Sequence, residues 1–262
     1  MKLMFTYIFC FLISLNFIPD CKAQWNSATY NDYIGQEDIL YHNNILFSSC
    51  SLGIFKSVNN GVTWVKISSL RPSKGTFISN GATLFCFTPT RDTLYSSVDN
   101  GNSWIGKRVV SEYQLGRLYA SGSILFAGSQ VGIYMSTDYG TTWLHALNSF
   151  VTINCFTSLN SDLYAGSNNG LYKSTNNGLN WFSIGLLGRV FREIESNSQN
   201  LVALVDTLNA STSNKFYVST NGGSSWSFTP VIEYGFYNLI YSGTNFYAAG
   251  TGHIYKSSNG GF

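Results

Sequence analysis

One twelve-residue cassette returns along this chain at a nearly fixed interval, and that periodicity constrains the fold more than any other feature. Gly53-Ile-Phe-Lys-Ser-Val-Asn-Asn-Gly-Val-Thr-Trp64 recurs as Thr93-Leu-Tyr-Ser-Ser-Val-Asp-Asn-Gly-Asn-Ser-Trp104. It recurs again at Gly132 to Trp143, Gly170 to Trp181 and Lys215 to Trp226. A sixth copy begins at His253 and reaches Phe262 before its tryptophan position. The shared pattern is Ser-x-[Asp/Asn]-x-Gly-x-x-Trp. Six tryptophans, Trp25, Trp64, Trp104, Trp143, Trp181 and Trp226, stand at spacings of 39, 40, 39, 38 and 45. Trp25 has no cassette before it, yet lies one period upstream of Trp64. It reads as the outer strand of a unit whose other strands lie elsewhere in the chain.

A period near 40 residues holds four short strands. In the fourth copy we expect an inner strand over 151–159, a second over 162–167, a third over 170–174 and an outer one over 180–184. Aromatic and β-branched residues separated by turn residues support these strands. The cassette is then the turn between third and outer strands. Its Asx oxygen accepts backbone N–H bonds, its glycine takes a positive φ, and its tryptophan packs on the turn. The turn residues are Asn59, Gly61 and Trp64; Asp99, Gly101 and Trp104; Asp138, Gly140 and Trp143; Asn176, Gly178 and Trp181; and Asn221, Gly223 and Trp226. Asparagine stands at most of the acidic positions, so the motif serves geometry and not acid catalysis.

This grammar resembles the Asp-box (BNR-type) repeat of sialidases, xyloglucan-active endo-glucanases, sortilin-type receptors and photosystem II assembly factors. The resemblance covers essentially the whole chain after residue 23, as repeat pattern alone. It implies an all-β β-propeller of four-stranded antiparallel blades, with six repeats visible and the last without its outer strand. Either the strand at Trp25 completes that blade and closes six, or the chain continues past Phe262 into a longer parent, such as a seven-bladed one.

Composition agrees with such a fold. Charged residues make up 11% of the 262, against about 25% in ordinary domains, so polarity comes from Ser, Thr, Asn and Gly. Residues 1–23 read as a signal peptide: Met1-Lys2 is basic, Leu3 to Ile18 is apolar, and Cys21-Lys22-Ala23 offers small residues before a cut at Gln24. The apolar run is short for a membrane anchor and is followed by Pro19 and Asp20. A lipoprotein anchor at Cys21 is disfavoured by Asp20. The mature chain, residues 24–262, would be secreted, periplasmic or displayed at the cell surface, with no membrane span and no basic footprint for nucleic acid. Its cysteines Cys50, Cys86 and Cys155 are odd in number and sit in apolar runs, which predicts buried free thiols.

In a blade of this kind the cassette turns share one rim. The loops joining second to third strands, and outer strands to the next inner strand, share the other. Six arginines map to this second rim, Arg71, Arg91, Arg108, Arg117, Arg189 and Arg192, with Asp92 and Glu233 beside them. So does the insertion Asp206 to Asn214, and insertions mark binding faces. Solvated loop charge is the plainer account of the same arginines. Sialidases are expected to show an Arg-Ile-Pro motif and a coupled Tyr/Glu pair. The motif is absent, and Glu112-Tyr113 and Glu233-Tyr234 are adjacent residues facing opposite sides of a strand. Other glycosidases need two carboxylates about 5–10 Å apart. Asp32, Glu37, Asp38, Asp92, Glu112 and Glu233 are the axial candidates, and spacing singles out no pair among them. His42, His145 and His253 lie in different repeats, so neither a metal nor a cofactor is expected. The sequence favours a monomeric, non-catalytic binding module for an unknown protein, peptide or glycan. A glycan hydrolase with carboxylates in an axial cleft is the alternative.

Overall fold

A computed structural model describes residues 36–88, 93–109, 115–206, 214–229, 235–250 and 253–261. It is an all-β, β-propeller chain with six antiparallel sheets. Two compact units divide it, one holding the described residues up to Arg108 and the other those from Val109 on. The first unit contains β1 (Gln36–His42), β2 (Ile45–Cys50), β3 (Gly53–Ser57) and β4 (Val65–Ser68), then β5 (Phe77–Asn80), β6 (Thr83–Phe87), β7 (Thr93–Ser97) and β8 (Ile105–Arg108). In the second, the third sheet is β9 (Leu118–Ser121), β10 (Ile124–Ser129), β11 (Gly132–Ser136) and β12 (Leu144–Asn148). The fourth is β13 (Ile153–Leu159), β14 (Asp162–Ser167), β15 (Gly170–Ser174) and β16 (Phe182–Gly185). The fifth is β17 (Val190–Ser196), β18 (Leu201–Asp206), β19 (Asn214–Ser219) and β20 (Ser227–Thr229). The sixth has β21 (Phe236–Ser242), β22 (Asn245–Gly250) and β23 (His253–Ser257).

Each sheet runs in chain order, first strand to last. Second strands such as Leu-Tyr-Ala-Gly-Ser in β14 are almost wholly buried, because sheets cover both of their faces. Outer strands such as β8 are exposed along their length. In the fourth repeat the second and third strands are those expected, the inner one starts two residues later, at Ile153, and the outer one runs from Phe182 to Gly185 because Asn180 and Trp181 remain in the turn. Cys50, Cys86 and Cys155 are buried free thiols, and burial pushes the Cys86 and Cys155 thiols well above their ordinary range. Trp25 lies outside the described residues.

The serine of the repeated turn makes the same two bonds in all six sheets. In the second, Ser97 Oγ donates to Asp99 Oδ1 at 2.8 Å and accepts the Gly101 N–H at 2.8 Å. Asp99 Oδ1 also accepts the Ser103 N–H at 2.9 Å, and Trp104 Nε1 donates to the Gly101 carbonyl at 3.1 Å. Asn59, Asn176 and Asn221 place their Oδ1 in the same bonds. The residue before the turn glycine is left-handed: Asn60, Asn100, Tyr139, Asn177, then Gly222 and Gly260. Asparagine and glycine tolerate that conformation best.

The turn also joins sheets. Gly178 of the fourth sheet, at φ +82°, lies so close to Phe126 of the third that an added Cβ would fall 2.2 Å from the ring. Trp181 then stands edge-on to Phe126 and Phe156, centroids 6.0 and 6.3 Å away. Gly101 against Ile67 and Phe47, Gly223 against Ile184, and Gly261 against Val202 repeat the contact within their own units. These four turns are wedges pressed into the sheet before them.

Two expectations follow. Gly178→Ala should cost about 3 kcal/mol in denaturant titration, through positive φ and overpacking together. Gly81→Ala, at a positive φ with open space around it, should cost about 1–2 kcal/mol; equal costs would refute the wedge. The Ser103 hydroxyl and N–H hold Asp99 down to about 2, and the Thr142 N–H and hydroxyl do the same for Asp138. Both carboxylates favour folding above the unfolded pKa of 3.8, and the benefit goes as pH falls through about 2. Asp99→Asn and Asp138→Asn should therefore melt like the parent at pH 7 and lose less on acidification from pH 4 to 2.

Candidate functional site

The two rims of each sheet differ as the repeat implies. On the turn rim, first and second strands are joined by two residues in five of the six sheets, as at 43–44 and 160–161. On the other rim, second-to-third loops range from two residues at 168–169 to seven between β18 and β19, where the insertion falls. The second rim also collects the starts of the inner strands. β1, β13, β17 and β21 each carry a bulge there, at Glu37, Asn154, Arg192 and Tyr237. A bulge frees one residue from pairing and turns the strand at that point.

Of the predicted residues, Arg71 sits exposed in the β4–β5 connection and Arg108 exposed at the end of β8. Arg117 immediately precedes β9, and Arg189 immediately precedes β17; both are half-buried. Arg192 is the bulge residue of β17, and its Nε donates to Asp206 Oδ2 at 2.6 Å. Asp38 accepts the Gly75 N–H at 2.9 Å. Arg91, Asp92 and Glu233 lie outside the described residues, as do Asp32, Glu112, Tyr113 and Tyr234.

The structure gathers one polar cluster in the second unit, and Arg117 is the predicted residue in it. The Arg117 guanidinium donates to the Glu193 carboxylate, so a residue at the start of the third sheet meets one in the inner strand of the fifth. The intervening inner strand, β13, supplies Cys155, Thr157 and Ser158. Thr157 Oγ1 lies 3.2 Å from Ser196 Oγ, which donates to the Ser158 carbonyl at 2.5 Å. Glu195 stands two residues beyond Glu193 on the same strand face. Burial among the inner strands, then the neighbouring Glu193 carboxylate, pushes Glu195 up to about 8; Arg117 offsets part of this. Tyr119 stacks on Phe156 at 5.7 Å, and burial raises its phenol.

At neutral pH the cluster therefore holds one closed ion pair and one neutral carboxylic acid. Glu195 and Tyr119 were missed in the sequence. The signal was there: Glu193-Ile-Glu195 places two carboxylates where the fourth repeat has Cys155 and Thr157. Among the described residues, no group of three or more His, Cys, Asp or Glu could hold a metal ion. No helix among them is long and apolar enough to cross a membrane.

Outside the cluster the same rim exposes apolar side chains. Phe150, in the β12–β13 connection, is 92% exposed, and Leu187, in the equivalent β16–β17 connection, is 68% exposed. Arg189 follows Leu187 by two residues.

No protein family matches the chain, and no curated relative does. Solved structures share the fold at low identity. YCF48 bound to D1 peptide aligns at TM-score 0.70 and 15% identity, over 95% of this chain and 84% of its own. The extracellular domain of BT4673 from B. thetaiotaomicron aligns at TM-score 0.71 and 12% identity, over 88% of this chain and 34% of its own. The GH74 xyloglucanase of Xanthomonas campestris aligns at TM-score 0.68 and 14% identity, over 91% of this chain and 46% of its own. An ancestral GH74 enzyme aligns at TM-score 0.63 and 20% identity, over 81% of this chain. This chain spans about a third of that enzyme's length. It is a β-propeller. The propellers it resembles include both hydrolases and a peptide-bound protein.

Glu195 binds its proton more tightly folded than unfolded. Its contribution to stability is full below the unfolded value of 4.5 and is lost as pH rises through about 8. Glu195→Gln should therefore flatten the melting-temperature profile between pH 5 and 9 and exceed the parent in stability at pH 9. A parallel pair of profiles would place Glu195 in open solvent.

Proposed function

We propose that the chain is an exported, non-catalytic β-propeller of Asp-box type that binds an extended peptide or a protein through the rim where its inner strands begin. The observation that carries this reading is Phe150, a phenylalanine 92% exposed at a loop tip. A large apolar side chain held in water, on a rim that also carries an exposed aliphatic residue and arginines, has the composition of an interface centre. Loop length varies on this rim and hardly at all on the turn rim, which suits a scaffold with one adaptable face. The peptide-bound neighbour aligns over most of its own length, and the hydrolases over less than half of theirs, which also favours binding.

A second reading, glycan hydrolysis, has one observation in its favour. Burial raises the Glu195 carboxyl to about 8, and a carboxyl held protonated near neutral pH is the kind of group that serves as a general acid. Against it, the Glu193 carboxylate is already paired with the Arg117 guanidinium.

Screening the chain on peptide and glycan arrays, with hydrolysis of soluble glycans measured in parallel, separates the readings. Binding to peptides should weaken about tenfold or more with Phe150→Ser or Arg189→Glu. Phe182→Ser, on an exposed outer strand, should leave it unchanged. Glycan turnover abolished by Glu195→Gln would instead establish the hydrolase.

A further inference from the structure

The loop between β14 and β15 is two residues long, Asn168 and Asn169, and both are exposed. It closes through a serine: Ser167 Oγ donates to the Gly170 carbonyl at 2.9 Å and accepts the Asn169 N–H at 3.0 Å. The same loop of the third sheet, Gln130-Val131, closes through the same two bonds from Ser129, both at 3.1 Å. The loop therefore does not need asparagine side chains to fold.

Those side chains reach outward to both neighbouring connections. Asn168 Oδ1 accepts the Thr152 N–H at 3.0 Å, and the Asn168 N–H donates to the Thr152 carbonyl at 2.9 Å. Thr152 lies in the β12–β13 connection, two residues after the exposed Phe150. Asn169 Oδ1 accepts the Gly188 N–H at 2.8 Å, in the β16–β17 connection and next to the exposed Leu187. One loop thus anchors both of the connections that carry the apolar tips. A backbone N–H can be accepted only by the oxygen of an amide, so each of these bonds fixes which way round the amide lies. Neither Nδ2 has a partner among the described residues. The guanidinium of Arg189, one residue past Gly188, has none among them either. The acids Glu193 and Asp206 are already paired, with Arg117 and Arg192. What the loop and its two connections offer a ligand is two amide donors, one cation and two apolar tips.

We propose that this loop recognises an extended peptide carrying an acidic residue among apolar ones. Asn168 and Asn169 donate to its main-chain carbonyls, Arg189 takes its carboxylate, and its apolar side chains cover Phe150 and Leu187. The proposal rests on binding at this rim and gives that binding its ligand chemistry. Extended main chain presents carbonyls that no internal bond uses. A guanidinium matches a carboxylate in shape and charge. Tips already held by hydrogen bonds to the loop lose little freedom when a ligand covers them.

The test uses capped octapeptides with one Glu between Leu residues, a matched set with Gln in place of Glu, and the chain with Asn168→Asp or Asn169→Asp. Aspartate keeps the oxygen that holds Thr152 or Gly188 and lacks the amide donor, so the melting temperature should stay at the parent's. Either variant should weaken binding of both peptides by about tenfold or more. Arg189→Gln should remove a roughly tenfold preference for Glu over Gln. In the unsubstituted chain, the side-chain amide resonances of Asn168 and Asn169 should move as the Glu peptide is added. Amide resonances that stay still overturn the proposal, as does parent-like binding by both aspartate variants. Weakening confined to the Glu peptide overturns it too, because that marks charge repulsion at a distance. In each of these cases binding at the rim stands if Phe150→Ser still weakens it. An absence of binding by every peptide overturns both.

Discussion

The structure depends on a serine hydroxyl that does two things at once. In each turn it donates to the Asx oxygen and accepts the glycine N–H, as Ser174 does for Asn176 and Gly178 at 3.0 and 2.9 Å. That pair of bonds folds the turn tightly enough for the glycine to reach the preceding sheet. A buried backbone N–H left without its acceptor would cost about 1–3 kcal/mol, so the hydroxyl cannot be exchanged for a methyl without loss. The acidic charge can be exchanged, because a neutral amide oxygen offers the same acceptor. This is why four of the six turns carry asparagine. Tryptophan follows from the glycine: once the glycine backbone is wedged against its neighbour, its carbonyl is left to be satisfied, and the indole N–H does so while the ring fills the gap between sheets.

Much of the fold was legible from that one motif. The period fixed four strands, the turn residues fixed which connection the motif makes, and the strand ends of the fourth repeat came out within two residues. The outer strand was read two residues too early because Asn180 and Trp181 look like strand residues but are held in the turn by the Asn176 oxygen and the Gly178 carbonyl. The candidate site was far less legible. Topology assigns the arginines to one rim but does not say which of them converge. Arg117 and Glu193 are 76 positions apart and meet because their strands begin at the same end. Glu195 drew no reading, since sequence shows its neighbours along the strand but not the crowded inner strands beside it. Phe150 could not be told from a core phenylalanine in the sequence, because exposure is a property of the loop's path.

The two rims divide the labour of the molecule. On one, hydrogen-bonded turns repeat with little change in length, and a substitution at Gly101, Gly178, Gly223 or Gly261 is felt by two sheets. On the other, connections lengthen, bulges release single side chains and charges pair individually, as Arg192 does with Asp206. A surface of that second kind can acquire new contacts without altering the packing that supports it. Binding chemistry would therefore accumulate where the repeat is least regular, and the cluster around Glu195 lies at the boundary between the two regimes.

Repeat arrays usually communicate only between adjacent units, so they can open from an end one unit at a time. The Arg117–Glu193 pair does not respect that order. It reaches from the third sheet to the fifth and passes the fourth, so the fifth cannot peel away while the third stays closed unless that ion pair is broken. Three sheets are thereby strapped into a single cooperative block inside an otherwise modular chain, and unravelling has to take them together or not at all.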